Sequence, residues 1–517
     1  MLANLTQSIE QIEKIGAGSS LSQISCGIEK ESLRILQDGS LSQAAHPKCL
    51  GSPLTHPYIT TDYSESLIEL ITPVCTSATG VIESLHSLHQ FVIQNLQNES
   101  LWAASMPCIL NGEDNIPVAN YGNSNIGKMK RAYRNGLSHR YGKTMQSIAG
   151  IHFNLSLSDD FWKLWKDAQH SDLPLKDFKS QSYFRLIRNF YRTYWAILYL
   201  FGASPAVCGS FLSGRNHHLI PFGSGTYYLP NATCLRMSKI GYQSEAQSQI
   251  NISFNGVVEY CESLIEATSS PYPPYEAIGI KRDNEYLQLN SNLLQIENEY
   301  YAPIRPKRIA RPGEKPTHAL REHGVEYIEI RSIDLNPFVL GGIDSTGVLF
   351  LELLLLGCLF SDDTPLSRNE FLDLTVTHDK VMTGGRDLDL IVEDNLTITT
   401  AGHNLLDRLE PLSELLDHYG KPGYTTALND QRAKFDTPKL TPSGQILETM
   451  TDNNLSFFCF AMEESIGQHQ LFSNNKLSRE LSTQFTVDAA NSIRAQEALE
   501  AEDNESFDTF LERYFSS

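Results

Sequence analysis

Residues 27–35 read Gly-Ile-Glu-Lys-Glu-Ser-Leu-Arg-Ile (GIEKESLRI), an alternating run that predicts a β-strand. In a strand, residues i and i+2 point the same way about 6.6 Å apart, so Glu29 and Glu31 share a face with Leu33 and Ile35. Two ionised carboxylates at the margin of an apolar face repel each other and are costly to desolvate unless a cation lies between them. The plain alternative is a solvated face on which Lys30 and Arg34 cross over to pair with the two acids.

The same construction recurs far away in the chain. In residues 60–72 (TTDYSESLIELIT), Glu69 stands between Leu67 and Ile71 on one strand face, with Asp62 in the loop leading in. In residues 324–331 (GVEYIEIR), Glu329 and Arg331 share a face with Val325 and Tyr327, while Glu326 points the other way. That acid and guanidinium make either an internal salt bridge or a site where Arg neutralises a transferring phosphoryl group beside metal-binding acids. His152, in GIHFN (150–154), is on its own a core histidine or a ligand. Mg²⁺ normally takes one or two carboxylates plus substrate phosphates, so five acids and a histidine brought together suit two or three ions around a nucleotide.

Composition bounds the rest. With 517 residues, 41% of them hydrophobic and 20% charged, the chain has the make-up of a soluble globular protein of two or three domains, or of one large elaborated enzyme domain. A formal charge of -20 argues against a general nucleic-acid or anionic-membrane partner. Nine scattered cysteines, never spaced C-x-x-C, fit neither a disulfide framework nor a zinc ribbon and point to the reducing cytoplasm. The N-terminal MLANLTQSIEQIEKIGAG reads as an amphipathic helix and not a secretory signal, and VLFLELLLLGCLF (348–360) is too short to span a bilayer and reads as a buried helix.

Helical spacing of apolar residues predicts helices over 81–96, 182–200, 346–360 and 402–418. Strands are predicted at 24–35, 65–72, 148–156, 249–254 (QINISF) and 325–333. Strands separated by long helical insertions indicate an α+β fold. The breaker-rich segments 269–275 (SSPYPPY) and 305–316 (RPKRIARPGEKP) read as ordered surface loops, and the acidic tail from about 485 as exposed helix with partial packing.

The phosphate motifs fail. Gly122–Lys128 (GNSNIGK) fits half a P-loop, but Met129 stands where a hydroxyl must hold Mg²⁺. Gly142-Lys143-Thr144 has Leu137 where the first glycine belongs. No G-x-G-x-x-G follows a strand, and neither G-x-S-x-G nor H-E-x-x-H occurs. The basic cluster Arg305, Lys307, Arg308 and Arg311 reads as a solvated loop of which one or two members reach a phosphate-binding rim.

Several blocks carry a resemblance: GIEKESLRI, LTHPYITTDYSESLIELITP (54–73), MQSIAGIHFNLSL (145–157), YFRLIRNFYR (183–192), YLFGASPAVC (199–208), LQLNSNLLQIENEYYAPIRPKR (287–308) and GVEYIEIRSIDLNPF (324–338). In that order they resemble the glutamate–cysteine ligases of gamma-proteobacteria. The resemblance implies a curved, mainly antiparallel sheet flanked by helices, related to glutamine synthetase, in one large catalytic domain over 1–517 whose catalytic blocks lie in 20–340 and whose remainder, 341–517, is mostly helical. It implies ATP-dependent joining of the L-glutamate γ-carboxylate to the L-cysteine amine through γ-glutamyl phosphate, with Mg²⁺, as the first step of glutathione synthesis, by a cytoplasmic enzyme acting as a monomer. Carried over by position, Glu29, Glu31, Asp62, Glu69, His152 and Glu329 are metal ligands, and Arg331 stabilises the transferred phosphoryl group. Tyr133, Arg134, Gln146, Arg236, Tyr242 and Tyr301 match amino-acid substrate contacts. The chain departs from the family at Gly214–Gly225 (GRNHHLIPFGSG), a substrate-side loop. The rival readings are another carboxylate–amine ligase with a different amine acceptor, and a nucleotide-binding relative without catalysis.

Overall fold

The predicted strand at 24–35 forms, as β1 (Ile24–Leu36), the middle of a seven-stranded sheet. The other strands are β2 (Ile59–Thr61), β3 (Leu67–Ile71), β4 (Glu99–Leu101), β5 (Ile151–Leu157), β6 (Ile304–Lys307) and β7 (Tyr327–Ile333). The spatial order is β6-β7-β5-β1-β3-β2, with β4 paired to the far end of β1, and every pairing is antiparallel. The fold is therefore α+β. The computed structural model describes all residues except Met1, Ala3, Cys108, Ser224, Tyr242, Gln243, Pro312, Lys421 and Ser517, and omits the side chain of Glu245.

The main helices are α1 (Leu5–Lys14), α2 (Ala78–Asn95), α3 (Asn125–Tyr141), α4 (Leu175–Leu200), α5 (Ser345–Phe360), α6 (Arg368–Gly384), α7 (Ile398–Tyr419), α8 (Phe457–Asn474), α9 (Arg479–Glu502) and α10 (Phe507–Ser516). Several begin on a side-chain cap: Ser77 accepts from the Gly80 amide at α2, Ser124 from Gly127 at α3, and Asp344 from Gly347 at α5. α5 is the leucine-rich stretch, buried from Phe350 to Phe360, and no helix among the described residues is long and apolar enough to cross a membrane. Almost all buried apolar side chains, from Leu2 to Phe485, belong to one cluster. A small second cluster, built on Ala132, Leu289, Phe510 and Leu511, lies apart from it.

The even-numbered residues of β1 face away from the acids. Lys30 Nζ donates to Ser32 Oγ at 2.6 Å, and Arg34, fully buried, is bound by Glu99 of β4 at 2.8 and 3.2 Å. The cross-over pairing of Lys30 and Arg34 with Glu29 and Glu31 is thus ruled out by the strand's two-residue period.

Two expectations need correction. QINISF (249–254) is not a strand: Ile250, Ile252 and Phe254 are buried in alternation, as predicted, but no neighbouring chain supplies a ladder. The segment 305–316 begins as strand β6, so Arg305 and Lys307 stand on the sheet beside β7. The acidic tail is exposed helix with partial packing, as expected: α9 buries Phe485, Ala489 and Ser492, and α10 buries Phe510 and Leu511.

On the covered back of the sheet, His89 of α2 stacks on Phe472 of α8, with ring centroids 4.8 Å apart and 10° between planes. Neither ring nitrogen has a hydrogen-bond partner. Burial, and then the nearby Lys30 and His86, holds its pKa well below the ordinary imidazole value. The unfolded chain takes up this proton near pH 6.5 and the folded chain does not. The resulting stability is complete above that pH and falls as the pH drops, by up to about 1.4 kcal/mol per pH unit. His89→Leu should therefore flatten the fall of Tm between pH 6.5 and 5; a slope equal to the wild type's would contradict this account.

Candidate active site

The site face of the sheet carries its acids in register. Glu31 of β1 lies directly opposite Glu69 of β3, Glu29 lies opposite His152 of β5, and Glu329 of β7 lies opposite Asn154. These side chains converge on one cavity of about 480 Å³, which Asp62 also lines. The six acidic and histidine residues predicted from distant segments are thus brought together.

His152 is the hub. Its Nδ1 lies 3.1 Å from Glu29 Oε2, and its Nε2 lies 3.6 Å from Glu31 Oε1. Two sets of potential ligand atoms result, Glu29–His152–Glu329 and Glu31–Glu69–His152, each with all its atoms within 4.8 Å of one another. The remaining carboxylate oxygens are held: Asn154 Nδ2 donates to Glu29 Oε1 at 2.9 Å, and the Gly150 amide donates to Glu31 Oε2 at 2.7 Å.

The electrostatics divide the site. Burial opposes ionisation of Glu329, but Lys307 Nζ at 3.2 Å and Arg331 Nη1 at 3.0 Å overcome it, and its pKa lies well below the usual carboxylate range. Glu29, also opposed by burial, is drawn down by the hydrogen bond with His152. Glu69 goes the other way: burial, with Glu29, Asp62 and Glu31 adding repulsion, pushes its pKa well above the usual range. Glu31 is raised by burial and by Asp62.

Beyond Asp62 the cavity walls come from helix and loop. Tyr133, Arg134, Gln146, Arg236 and Tyr301 all line it, as predicted, and Tyr242 lies outside the described residues. Arg134 of α3 donates through Nε to the Asp62 carbonyl and lies over the Tyr121 ring, 4.5 Å from its centroid. Gln146 Nε2 donates to Tyr301 Oη at 2.8 Å. Arg236 is buried, with Nη2 donating to the Arg331 carbonyl at 3.1 Å. Gly150 makes room for it, since a Cβ there would fall 1.8 Å from Nη2. The departing loop Gly214–Gly225 places Arg215, Asn216 and His217 around a neighbouring cavity of about 380 Å³.

Lys130 and Asp334 were not read from the sequence. Lys130 lines the cavity from α3, and burial lowers its pKa to about 8. Its helical relation to Tyr133 and Arg134 was the available signal. Asp334, fully buried just after β7, accepts from the Ala203 amide at 2.8 Å, Ser204 Oγ at 2.6 Å, Cys234 Sγ at 3.3 Å and Arg236 Nη1 at 3.5 Å. No sequence signal linked it to Arg236. Of the basic cluster, Arg305 and Lys307 reach the cavity.

Comparison with known proteins agrees with this geometry. The family model described as glutamate-cysteine ligase matches residues 9–381. The chain is 45% identical to a glutamate–cysteine ligase of Alcanivorax borkumensis, over 99% of this chain and 100% of that protein. It is 46% identical to the one from Hahella chejuensis, over 96% of both. In three dimensions it is similar to the crystal structure of Francisella tularensis glutamate–cysteine ligase in complex with AMP, with a TM-score of 0.90 and 34% identity over 96% of this chain and 98% of that one. The chain belongs to the glutamate–cysteine ligase family.

Proposed function

We propose that the cavity joins the γ-carboxylate of L-glutamate to the amine of L-cysteine with conversion of ATP to ADP and phosphate, and that its residues divide the work as follows. The observation that carries this reading is the pair of carboxylate–histidine sets sharing His152 beside Arg331, in a chain of the glutamate–cysteine ligase family. The Francisella relative was solved in complex with AMP, which supports a nucleotide as one substrate of this chain. The enzyme acts as a cytoplasmic monomer in this reading.

The donor set suits a hard divalent cation such as Mg²⁺, because carboxylate oxygens dominate it. His152, whose neutral imidazole offers a single lone pair, would join either Glu29 and Glu329 or Glu31 and Glu69, with Asp62 alongside, in holding an ion, and the other carboxylate pair would hold a second. When bound, the ions supply positive charge that offsets the triphosphate and the clustered acids.

The chain's own groups do the rest. Arg331, anchored on Glu329, offers a fixed cation to the phosphoryl group as it passes from ATP to the glutamate γ-carboxylate. The product of that step is an acyl phosphate. The cysteine amine attacks its carbonyl carbon, phosphate leaves with the C–O bond electrons, and the amine gives up a proton. Arg134 and Arg236 suit substrate carboxylates, which a guanidinium grips through paired donors. Tyr133, Tyr301 and Gln146 wall the amino-acid end, where aromatic faces enclose a small thiol side chain.

Purified protein should release ADP with glutamate plus cysteine and form γ-glutamylcysteine, and should do so much more slowly with ammonia or other amines. Release that favours another amine would move the chain to a different acceptor, and ATP binding without any release would make it a non-catalytic relative. Glu29→Gln and Glu69→Gln should each lower kcat by about 10²-fold or more, and Glu69→Gln should leave the metal-free Tm no lower than the wild type's, because the repulsion of its three acidic neighbours is relieved. Wild-type turnover in either variant would refute its ligand role. Gly150→Ala should push the Arg236 guanidinium aside and raise KM for an amino-acid substrate roughly tenfold with little change in the KM for ATP; unaltered values for both amino acids would remove Arg236 from the substrate-binding set.

A further inference from the structure

We infer that the C-terminal helices are positioning elements of the amino-acid end of the site: Asp503, Phe510 and Leu511 hold α3 so that Tyr133 and Arg134 face the cavity. The inference rests on the substrate-binding roles proposed above for those two residues.

Two kinds of contact converge on α3. At its N-terminal end, the Asn123 amide donates to Glu500 Oε1 at 2.8 Å, the Asn125 amide donates to the Asp503 carboxylate, and Asn125 Nδ2 donates to the Glu505 carbonyl at 3.0 Å. Free amides and the positive end of the helix dipole favour an anion there. The chain fills that place with its own carboxylates, at the very segment, GNSNIGK, that half resembles a phosphate loop.

Along the flank of α3, Phe510 and Leu511 are 9% and 5% exposed and form a small apolar cluster with Ala132 and Leu289. Ile126, Met129, Tyr133 and Ile296 pack against it. Tyr133 also packs against the main core, and Ile296 lines the cavity, so this cluster supports two walls of the site at once. The helix α10 is latched further by Asp508, which accepts from Lys281 Nζ and Tyr286 Oη, each at 2.6 Å.

The preceding helix α9 reaches the other side of the same wall. Ser492 Oγ accepts from the Ser52 amide at 2.9 Å, and the Ser492 carbonyl accepts from Thr55, in the segment that leads into β2 and Asp62. Arg134 bonds the Asp62 carbonyl, so α9 and α10 together frame the junction of Arg134 with the acid site. The α9 and α10 residues that make these contacts all lie beyond residue 381, where the matched family model ends. Because the Phe510 cluster is separate from the main core, weakening it should shift α3 without unfolding the sheet.

The test uses the full-length chain. Phe510→Ala/Leu511→Ala should raise KM for at least one of the two amino acids by about tenfold, change kcat by less than roughly threefold and leave the KM for ATP unchanged. Amide hydrogen exchange should quicken across 123–135 and stay slow in β1 and β5. Asp503→Ala, outside the apolar cluster, should act in the same direction by about threefold, which keeps the inference testable should the double variant fail to fold. Phe510→Leu should restore the wild-type KM. Combined with Arg134→Lys, the double variant should give less than the sum of the separate effects. If Arg134→Lys raises KM and the tail variants do not, the positioning role is overturned while the substrate reading stands. If Arg134→Lys and Tyr133→Phe both leave every KM at the wild-type value, the substrate reading fails and the inference falls with it.

Discussion

Glu31 and Glu69 stand directly opposite each other on adjacent strands, and like charges in that position destabilise a sheet. The rest of the site is organised around that conflict. On the β7 side, Lys307 and Arg331 compensate Glu329 directly, and its carboxyl is strongly acidic. On the β3 side, burial and three neighbouring acids push Glu69 in the opposite direction. The protein therefore supplies positive charge to one half of the cluster and leaves the other half short of it. In the proposed reaction that shortfall is the place for an external cation, so the same repulsion that burdens the apo sheet becomes binding energy for the ion.

The two kinds of site residue rest on different supports. Acids and Arg331 project from strands whose hydrogen-bonded registers fix their positions relative to one another. The residues proposed to meet the amino acids come from α3, the turn at Arg236 and the loop before β6, which no ladder constrains. Their placement depends on tertiary packing, on the C-terminal helices for Tyr133 and on Asp334 for Arg236. Metal and phosphoryl chemistry needs invariant geometry, whereas substrate side chains tolerate walls that adjust.

How much of this was legible in the sequence follows from the range of the forces involved. The two-residue period placed Glu29 with Glu31 and Glu329 with Arg331, because strand geometry is local. Their convergence was not local, since β1 and β7 are some 300 residues apart and meet only through β5. The resemblance supplied what the period lacked. Helix α3 went unread because NIGKMKRAYRNGLSHRY carries few apolar residues. Its apolar partners Phe510 and Leu511 come from the far end of the chain. QINISF was misread for the complementary reason: burial alternates along it as in a strand, yet strand identity requires a neighbour, and sequence pattern reports burial rather than pairing.

Arg236 and Arg331 show how the two ends of the cavity are coupled. The guanidinium of Arg236 is gripped by Asp334 on one side and donates to the backbone carbonyl of Arg331 on the other. Asp334 in turn sits three residues after Arg331, at the end of the same strand. In the proposed reaction, a substrate carboxylate on Arg236 would act on a group hydrogen-bonded to the peptide that carries Arg331. The guanidinium occupies the space that the missing side chain of Gly150 leaves open, close against the start of β5. In the proposed reaction, one carbonyl oxygen thus joins the arginine offered to a substrate carboxylate with the strand that carries the arginine offered to the phosphoryl group.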